Sequence, residues 1–392
     1  MSPIGFFDLI KFKQTLCPLL RFIVKDKSEY FTISIIFFIK FPLKHVLNPI
    51  LNLKNSHFIR LMLNFTEKMF DFSKMFESDG PDIVYPWAIP MFAGIIFIEM
   101  AYSHFNKDKL YETKDVATNV LLALLNYSLD IIMKGFSMLV MMFFYYHRIF
   151  DWEVGIWYWI AVFLAQDFAY YVHHYVDHHS RVFWAVHITH HNSDYFNITT
   201  GFRSPVFQPL YRYLFFSPLA LVGFHPLHVM VAYSAIQIYG TFVHTQSIKS
   251  MGFLEYILVT PSHHRVHHAC NIKYLDRNMG MGLIIWDKIF GTFEKEDPEV
   301  PVKYGIYPKM KSKDPATVLF YEWRRIGKDL KQPGLSFKDR LKYLFYSPGW
   351  RHDGTGKTVK QFQREYKEKI KNKPLPVQNE HTEATEPEYT PN

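Results

Sequence analysis

Fourteen of this chain's twenty histidines fall between His173 and His268, most at intervals that a helix gathers onto one face. His174 and His178 are four apart, while His187, His190 and His191 follow i, i+3, i+4, and His264, His267 and His268 repeat that triplet. Eight or more imidazoles crowded beside apolar sequence would repel one another or go unsatisfied unless something compensates them. A bound metal does so, and imidazole suits iron, zinc, copper or nickel. The chain must therefore fold so that several histidine-bearing helix ends converge.

The apolar segments narrow the ways this can happen. Pro86–Tyr102 is long enough to span a bilayer, with Glu99 near its end, and residues 105–115 form a charged loop. Thr118–Tyr146 is a second long apolar segment; its Asp130 and Lys134 are four apart and positioned to pair. Trp152–Val172 begins with interfacial tryptophans and runs without a breaker into His173, so one helix should leave the membrane and deliver the first ligands. Pro205–Val243 is interrupted by Pro218, Gly223 and Pro226 and reads as a helical hairpin with two span-length halves. Histidines before and after that region can meet only if an even number of crossings separates them. A hairpin meets that condition. Arg181, Arg203, Lys249, Arg265, Lys273, Arg277 and Lys288 flank the clusters, which places them on the cytoplasmic side. The expected fold is all-α: an integral-membrane, multi-pass helical bundle with a cytoplasmic polyhistidine cap holding two metals.

Four regions follow. Residues 1–84 are expected to be an amphipathic, interfacial region, since Lys40 and Lys44 interrupt the apolar run Phe31–Ile39 after about half a membrane thickness; a crossing by this segment is the alternative. Residues 85–295 carry the transmembrane metal domain, 296–370 a polar extension, and 371–392 a disordered tail. No removable signal peptide is expected at the N-terminus. The net charge of +8 suits nucleic acid or an anionic membrane. Without a zinc-finger or RNA-binding pattern, the membrane is the partner and nucleic acid is not. Cys17 and Cys270 are the only cysteines, which excludes a disulfide framework and a cysteine zinc ribbon.

The pair His174/His178, the two triplets and the solitary His244 offer about nine nitrogens, too many for one zinc-type ion of four ligands and suited to two metals. No glutamate follows the leading histidine of any cluster, so the HExxH metalloprotease pattern is missing. Neutral ligands leave the metals positively charged, which favours oxidation with dioxygen over hydrolysis. Asp167, seven residues before His174, shares its helical face and could accept a ligand imidazole's second N–H, or equally pair with a cation. His263, Asn192, Asn197 and Arg203 could orient a ligand or the substrate. Asn197-Ile198-Thr199 is formally a glycosylation sequon, silent at a cytoplasmic position. His45, His57, His104, His147, His352 and His381 read as structural or exposed, as do His225 and His228 near the hairpin turn.

The boxes His174-Tyr175-Val176-Asp177-His178, His187-Ile188-Thr189-His190-His191, lone His244 and His264-Arg265-Val266-His267-His268 resemble those of the fatty acid hydroxylase/sterol desaturase superfamily of membrane di-iron oxygenases. Order, spacing and intervening hairpin match over about residues 85–295. The stretches DFAYYVHHYVDHH, TPSHHRVHH and LIIWDKIFGTFE look most like the alkylglycerol monooxygenase branch. His179 stands where that branch often has glutamate, and the doubled His263/His264 leaves two choices for the first ligand of the last box; His264 restores the spacing. The polar tail also departs from a branch that often carries further apolar segments.

The resemblance implies two ferrous ions, dioxygen as co-substrate, and hydroxylation or desaturation of a lipid C–H bond. The metal ligands would be His174, His178, His187, His190, His191, His244, His264, His267 and His268. A lipid would enter from the bilayer. Electrons must come from a separate protein or reductant, because the chain lacks an HPGG haem element, a Rossmann fingerprint and a ferredoxin cysteine set; the alkylglycerol branch suggests tetrahydrobiopterin. The competing readings are a membrane metal-binding or transport protein and, more narrowly, an ether-cleaving alkylglycerol monooxygenase. Transporters hold ligands near the bilayer midplane, whereas these clusters fall at helix ends.

Overall fold

The computed structural model describes residues 84–106, 109–310 and 314–371. The expected interfacial region and its Phe31–Ile39 run, and the tail 372–392, lie outside the described residues. Within them the regular structure is helical, and the only strand-like pairings are two isolated bridges, Leu258 with Leu283 and Ala269 with Tyr304.

Helix α1 (Val84–Phe105) is followed by α2 (Thr113–Tyr146), whose start is fixed by the Glu112 carboxylate accepting from the amides of Lys114 and Asp115. Then comes α3 (Ile156–His179), and a bend at Ser180 leads straight into α4 (Arg181–His191). The short α5 (Ile198–Gly201) is capped by Asn197. Helices α6 (Arg212–Val222) and α7 (Pro226–Phe242) form a hairpin, and α8 (Pro261–His267) and α9 (Ile285–Phe290) bracket an irregular stretch. Beyond them lie α10 (Pro315–Leu330), α11 (Phe337–Phe345) and α12 (Val359–Lys371).

The hairpin packs α6 against α2 and α3, and α7 against α3. Met141, Val162, Phe216, Ala220, Val229 and Ala232 fill the space between them. Gly223 makes the turn at φ +113°, and an added Cβ would sit 2.0 Å from the Phe150 carbonyl oxygen, so no side chain fits there. The Ile149 amide donates to Leu221 O at 2.8 Å and the Trp152 indole to Val222 O at 3.2 Å. The hairpin tip thus meets the α2–α3 loop at one end of the bundle, and His225 and His228 lie there, His228 bonded to Tyr158 at 2.8 Å. The clustered histidines occupy the other end of α3. Pro218 lies inside α6 without ending it.

Two expectations need correction. The halves of Pro205–Val243 are not each span-length. Helix α6 has 11 residues, about 17 Å at ~1.5 Å per residue, against a hydrocarbon core of about 30 Å. The residues missing from it form a turn and a 3-10 segment, Gln208–Leu210, because Gln208 and Tyr211 are drawn to the carboxylate of Asp177. Among the described helices, α2 is the one long and apolar enough to cross a membrane by itself. Nor does Asp130 pair with Lys134; its carboxylate accepts from Arg212, whose guanidinium also lies over the Tyr233 ring. A planar cation held between a carboxylate and an aromatic face outcompetes a flexible lysine four residues along.

The segment after residue 295 is a packed part of the fold. Val318 of α10 is buried with Leu122 and Val206. Arg181, at the start of α4, donates to Glu322 at 2.7 Å and lies 2.6 Å from Asp329.

Candidate metal centre

All nine histidines expected to bind metal are brought together and buried, and they divide into two groups. His174, His178, His187, His191 and His267 offer ring nitrogens within 4.8 Å of one another; so do His190, His244, His264 and His268. Helical geometry explains the partition. At about 100° per residue, position i+4 falls about 40° to one side of i and position i+3 about 60° to the other. In α4 the i, i+4 pair His187/His191 therefore joins the first group while His190 turns to the second. At α8 the roles reverse: His264/His268 serve the second group and His267 the first. Each triplet serves both groups, and the α6–α7 hairpin returns the chain so that His244 completes the second.

The imidazoles are oriented from behind. Nδ1–H donates to a backbone carbonyl in His174 (Met279 O, 2.7 Å), His190 (Arg203 O, 3.0 Å), His244 (Gly240 O, 2.7 Å) and His267 (Arg277 O, 2.9 Å). That tautomer leaves a lone pair on Nε2, aimed inward. Inside the groups, Nε2 atoms approach Nε2 atoms: His174 to His187 at 3.0 Å, His187 to His191 at 3.1 Å, and His244 to His264 and His268 at 2.9 and 3.2 Å. Nε2 of His178 and of His267 are buried without a hydrogen-bond partner. Facing lone pairs and orphaned nitrogens are unfavourable unless a cation lies between them. Burial holds His187, His191, His244, His264, His267 and His268 well below the ordinary imidazole range, and His190 is pushed down to about 4. The donor set is therefore neutral and nitrogen-only, and it fits a non-haem metal centre.

Asp167 does not touch a histidine among its hydrogen bonds. Its carboxylate accepts from the Gly282 and Leu283 amides, each at 3.0 Å, and from the Trp286 indole at 2.9 Å. Asp287 does the same one step earlier, accepting from Met279 N at 2.6 Å, Gly280 N at 2.8 Å and the Thr292 hydroxyl at 2.6 Å. Together the two carboxylates pin Met279–Leu283, the loop whose Met279 carbonyl holds His174. Glycine is required where they approach: a Cβ at Gly282 would lie 2.5 Å from Asp167 Oδ1, and one at Gly280 would lie 2.8 Å from Asp287 Oδ2. Asp167 thus acts through a loop, because seven residues separate it from His174 by about 10 Å of helix.

His263 stands outside both groups, its Nδ1 accepting from the Thr260 amide at the start of α8, 3.3 Å away. Asn192 accepts from Arg203, and Arg203 is buried between Asp115, Asn119 and the Thr189 carbonyl. Its contribution to the site is the carbonyl that receives His190. The side chain of Asn197 is consumed by the fold, donating to Leu110 O at 2.6 Å.

Two carboxylates went unpredicted. Asp177 lies inside the first box; its Oδ2 is 3.5 Å from His187 Nδ1, while Tyr211 and Gln208 donate to it at 2.7 and 3.2 Å. Asp276 Oδ1 accepts from His178 Nδ1 at 3.1 Å. Asp276 thus forms a carboxylate–histidine pair that fixes the His178 tautomer and raises its basicity, whereas Asp177, also 3.4 Å from His173 Nε2, makes no hydrogen bond to His187, whose Nδ1 is buried without a partner. Position 177 sat in plain view between two ligand positions. Asp276 carried no spacing signal, since its φ of +52° places it in an irregular loop.

Residues 159–292 match the fatty acid hydroxylase family. Human alkylglycerol monooxygenase is 34% identical over 302 residues, 76% of this chain and 65% of that protein. The zebrafish (Danio rerio) alkylglycerol monooxygenase is 32% identical over 271 residues, 67% of this chain and 59% of its own length. Human lathosterol oxidase is 28% identical over 137 residues, 34% of this chain and 43% of its own. The chain therefore spans less than two thirds of the alkylglycerol monooxygenases it matches. No solved structure matches it.

Proposed function

The chain carries a fatty acid hydroxylase domain over residues 159–292, and from this premise we propose that it is a membrane-bound non-haem di-iron oxygenase that hydroxylates a lipid C–H bond. The observation that carries the reading is the division of nine buried imidazoles into groups of five and four, with Nε2 atoms converging in each. We assign those nine histidines as the ligands of two irons. When bound, the irons would supply the redox chemistry that activates dioxygen and breaks a C–H bond. The protein's own part is to keep the imidazoles neutral by burial, to hold the tautomers of His174, His178, His190, His244 and His267 through their backbone or carboxylate acceptors, and to keep bulk water from the site.

Residues 85–295 form the proposed oxygenase domain, with 296–370 as an extension packed onto it. Helices α1, α2, α3, α6 and α7 make up the membrane part. From Ile156 to His174 helix α3 rises about 27 Å, close to one hydrocarbon thickness of about 30 Å. The shorter α6 would cover that depth with the help of the Pro205–Tyr211 segment. The basic residues flanking the histidines support a cytoplasmic site. Electrons would come from an external donor, with tetrahydrobiopterin the first to be tested. Ligands at helix ends, rather than midway through the bundle, disfavour a metal transporter.

The similarity to alkylglycerol monooxygenases supports a narrower second reading: attack on the carbon beside an ether oxygen, which would cleave the lipid. Both are tested by expressing the chain and following lipids under 18O2. A stable labelled hydroxyl supports simple hydroxylation, and release of a labelled aldehyde from an alkylglycerol supports ether cleavage. Purified protein should hold two irons per chain. Full iron and activity in His190→Ala and His267→Ala, or an oxygen-independent product, would refute the assignment.

A further inference from the structure

Helix α11 has two apolar faces, and among the described residues only one is packed against the rest of the fold. Tyr343 is buried, its hydroxyl 2.8 Å from His352 Nδ1 and its ring under the Arg181 guanidinium. On the other face Phe337, Leu341 and Phe345 follow i, i+4, i+8 and are 76, 41 and 54% exposed. They form a single stripe along the whole helix, not scattered surface hydrophobics. Cations border it on both edges. Lys338 and Lys342 lie on one side and Arg340 on the other, given about 100° per residue. Lys342 is extended over the rings of Tyr346 and Trp350, and Arg340 is tied to the Leu330 carbonyl, so these charges are held beside the stripe.

Position gives this face its partner. The Arg181 amide donates to Tyr346 O at 3.0 Å, which fixes the C-terminal end of α11 beside the first residue after the α3–α4 bend. In the reading proposed above, that bend is where the chain emerges from the bilayer. We infer that α11 is an interfacial helix that lies on the membrane, with Phe337, Leu341 and Phe345 sunk among the acyl chains and Lys338, Arg340 and Lys342 on anionic phospholipid headgroups. An apolar stripe flanked by basic residues has the chemistry of such a surface: burial of the stripe supplies attachment and the cations supply preference for negative charge. Arg181 also holds α10 through ion pairs to Glu322 and Asp329, so α10 and the end of α11 meet at one residue, and α11 would act as a float that sets the height of the α3–α4 bend, and with it the histidine site, above the lipid.

The inference rests on the proposed membrane placement, and the test separates the two. Single nitroxide labels are attached at Leu341→Cys, at Ile132→Cys on the exposed face of α2, and at Glu299→Cys as a water-facing control. The background has Cys17 and Cys270 replaced by serine, and the full chain is placed in nanodiscs with and without phosphatidylserine. Accessibility is measured to oxygen, which concentrates in lipid, and to a water-soluble nickel chelate. The expected oxygen-to-nickel ratio at position 341 is several-fold above that at 299. It should rise with phosphatidylserine and lose that rise in Lys338→Gln/Lys342→Gln. A water-like value at 341 with a lipid-like value at 132 overturns the interfacial helix and leaves the membrane reading standing. Water-like values at both overturn both. Exclusion of both reagents from 341 means that protein covers the stripe, and it also overturns the inference.

Discussion

The loop Met279–Leu283 gives the sharpest test of how the site is built, because it holds no metal ligand and yet carries the carbonyl that orients His174. Asp287 anchors it with three acceptor contacts at 2.6–2.8 Å, and the residue is fully buried. Replacing it with alanine strands two amides away from water, while the Thr292 hydroxyl keeps Tyr171 at 3.0 Å. At about 1–3 kcal/mol for each buried unsatisfied group, Asp287→Ala should cost roughly 2–6 kcal/mol and lower Tm by on the order of 10 °C. Asp287→Asn behaves differently. Its one oxygen can keep Met279 N and the Thr292 hydroxyl, losing only Gly280 N, and it avoids the burial that pushes the Asp287 acid up to about 6. Against an ordinary value of 3.8, that shift makes the ionised form about 3 kcal/mol less favourable in the folded chain than in the unfolded one. The folded state thus holds the proton more tightly. The Asp287 contribution is fully present below about pH 4 and is lost as pH rises through about 6. Melting in detergent between pH 4 and 7 should therefore show the wild type losing ground to Asp287→Asn as pH increases, while Asp287→Ala stays low throughout and binds iron more weakly because Met279 O no longer fixes His174. An alanine variant that melts and binds iron like the wild type, or a pH-independent gap between wild type and asparagine, would refute the anchoring role.

Three further outcomes follow from named contacts. His244→Ala removes one of four imidazoles from the second group and none from the first, so under the proposed assignment elemental analysis should find about two metals per wild-type chain and about one per variant chain; loss of both would mean the groups bind as a single unit. Asp276→Asn weakens the acceptor behind His178 and should reduce metal affinity 10- to 100-fold, read by competition with a chelator, with the fold retained. Arg181→Ala leaves Glu322 with the half-exposed Arg325 as its remaining cation and should destabilise by about 1.5–3 kcal/mol, seen as early proteolysis between α10 and α11.

Much of the site was legible because helical spacing is a local rule. The i, i+3, i+4 triplets and the His174/His178 pair read directly as shared faces, and the preference for His264 over His263 followed from the same spacing. The partition of each triplet between two groups was equally implicit in it, since i+3 and i+4 diverge by about 100°. What the sequence hid depends on distant chain segments. Asp167 shares a face with His174, but whether it meets the ring or something else depends on where Gly282 and Leu283 arrive, 115 residues or more later in sequence. The pairing of Asp130 with Arg212 rather than Lys134 depends on how α6 packs against α2. The length of α6 is settled by a competition that hydropathy cannot register, in which Gln208 and Tyr211 are taken by a buried carboxylate on α3. That same carboxylate, Asp177, sits inside the first histidine box, 3.4 Å from His173 Nε2 and 3.5 Å from His187 Nδ1. The interruption that makes the hairpin too short for a simple crossing is therefore also what satisfies the buried acid of that box: the residues withdrawn from α6 are its hydrogen-bond donors. Lengthening α6 into an uninterrupted span would leave Asp177 buried with fewer donors, so hairpin geometry and the polar balance beside the first histidine pair are fixed by one set of contacts.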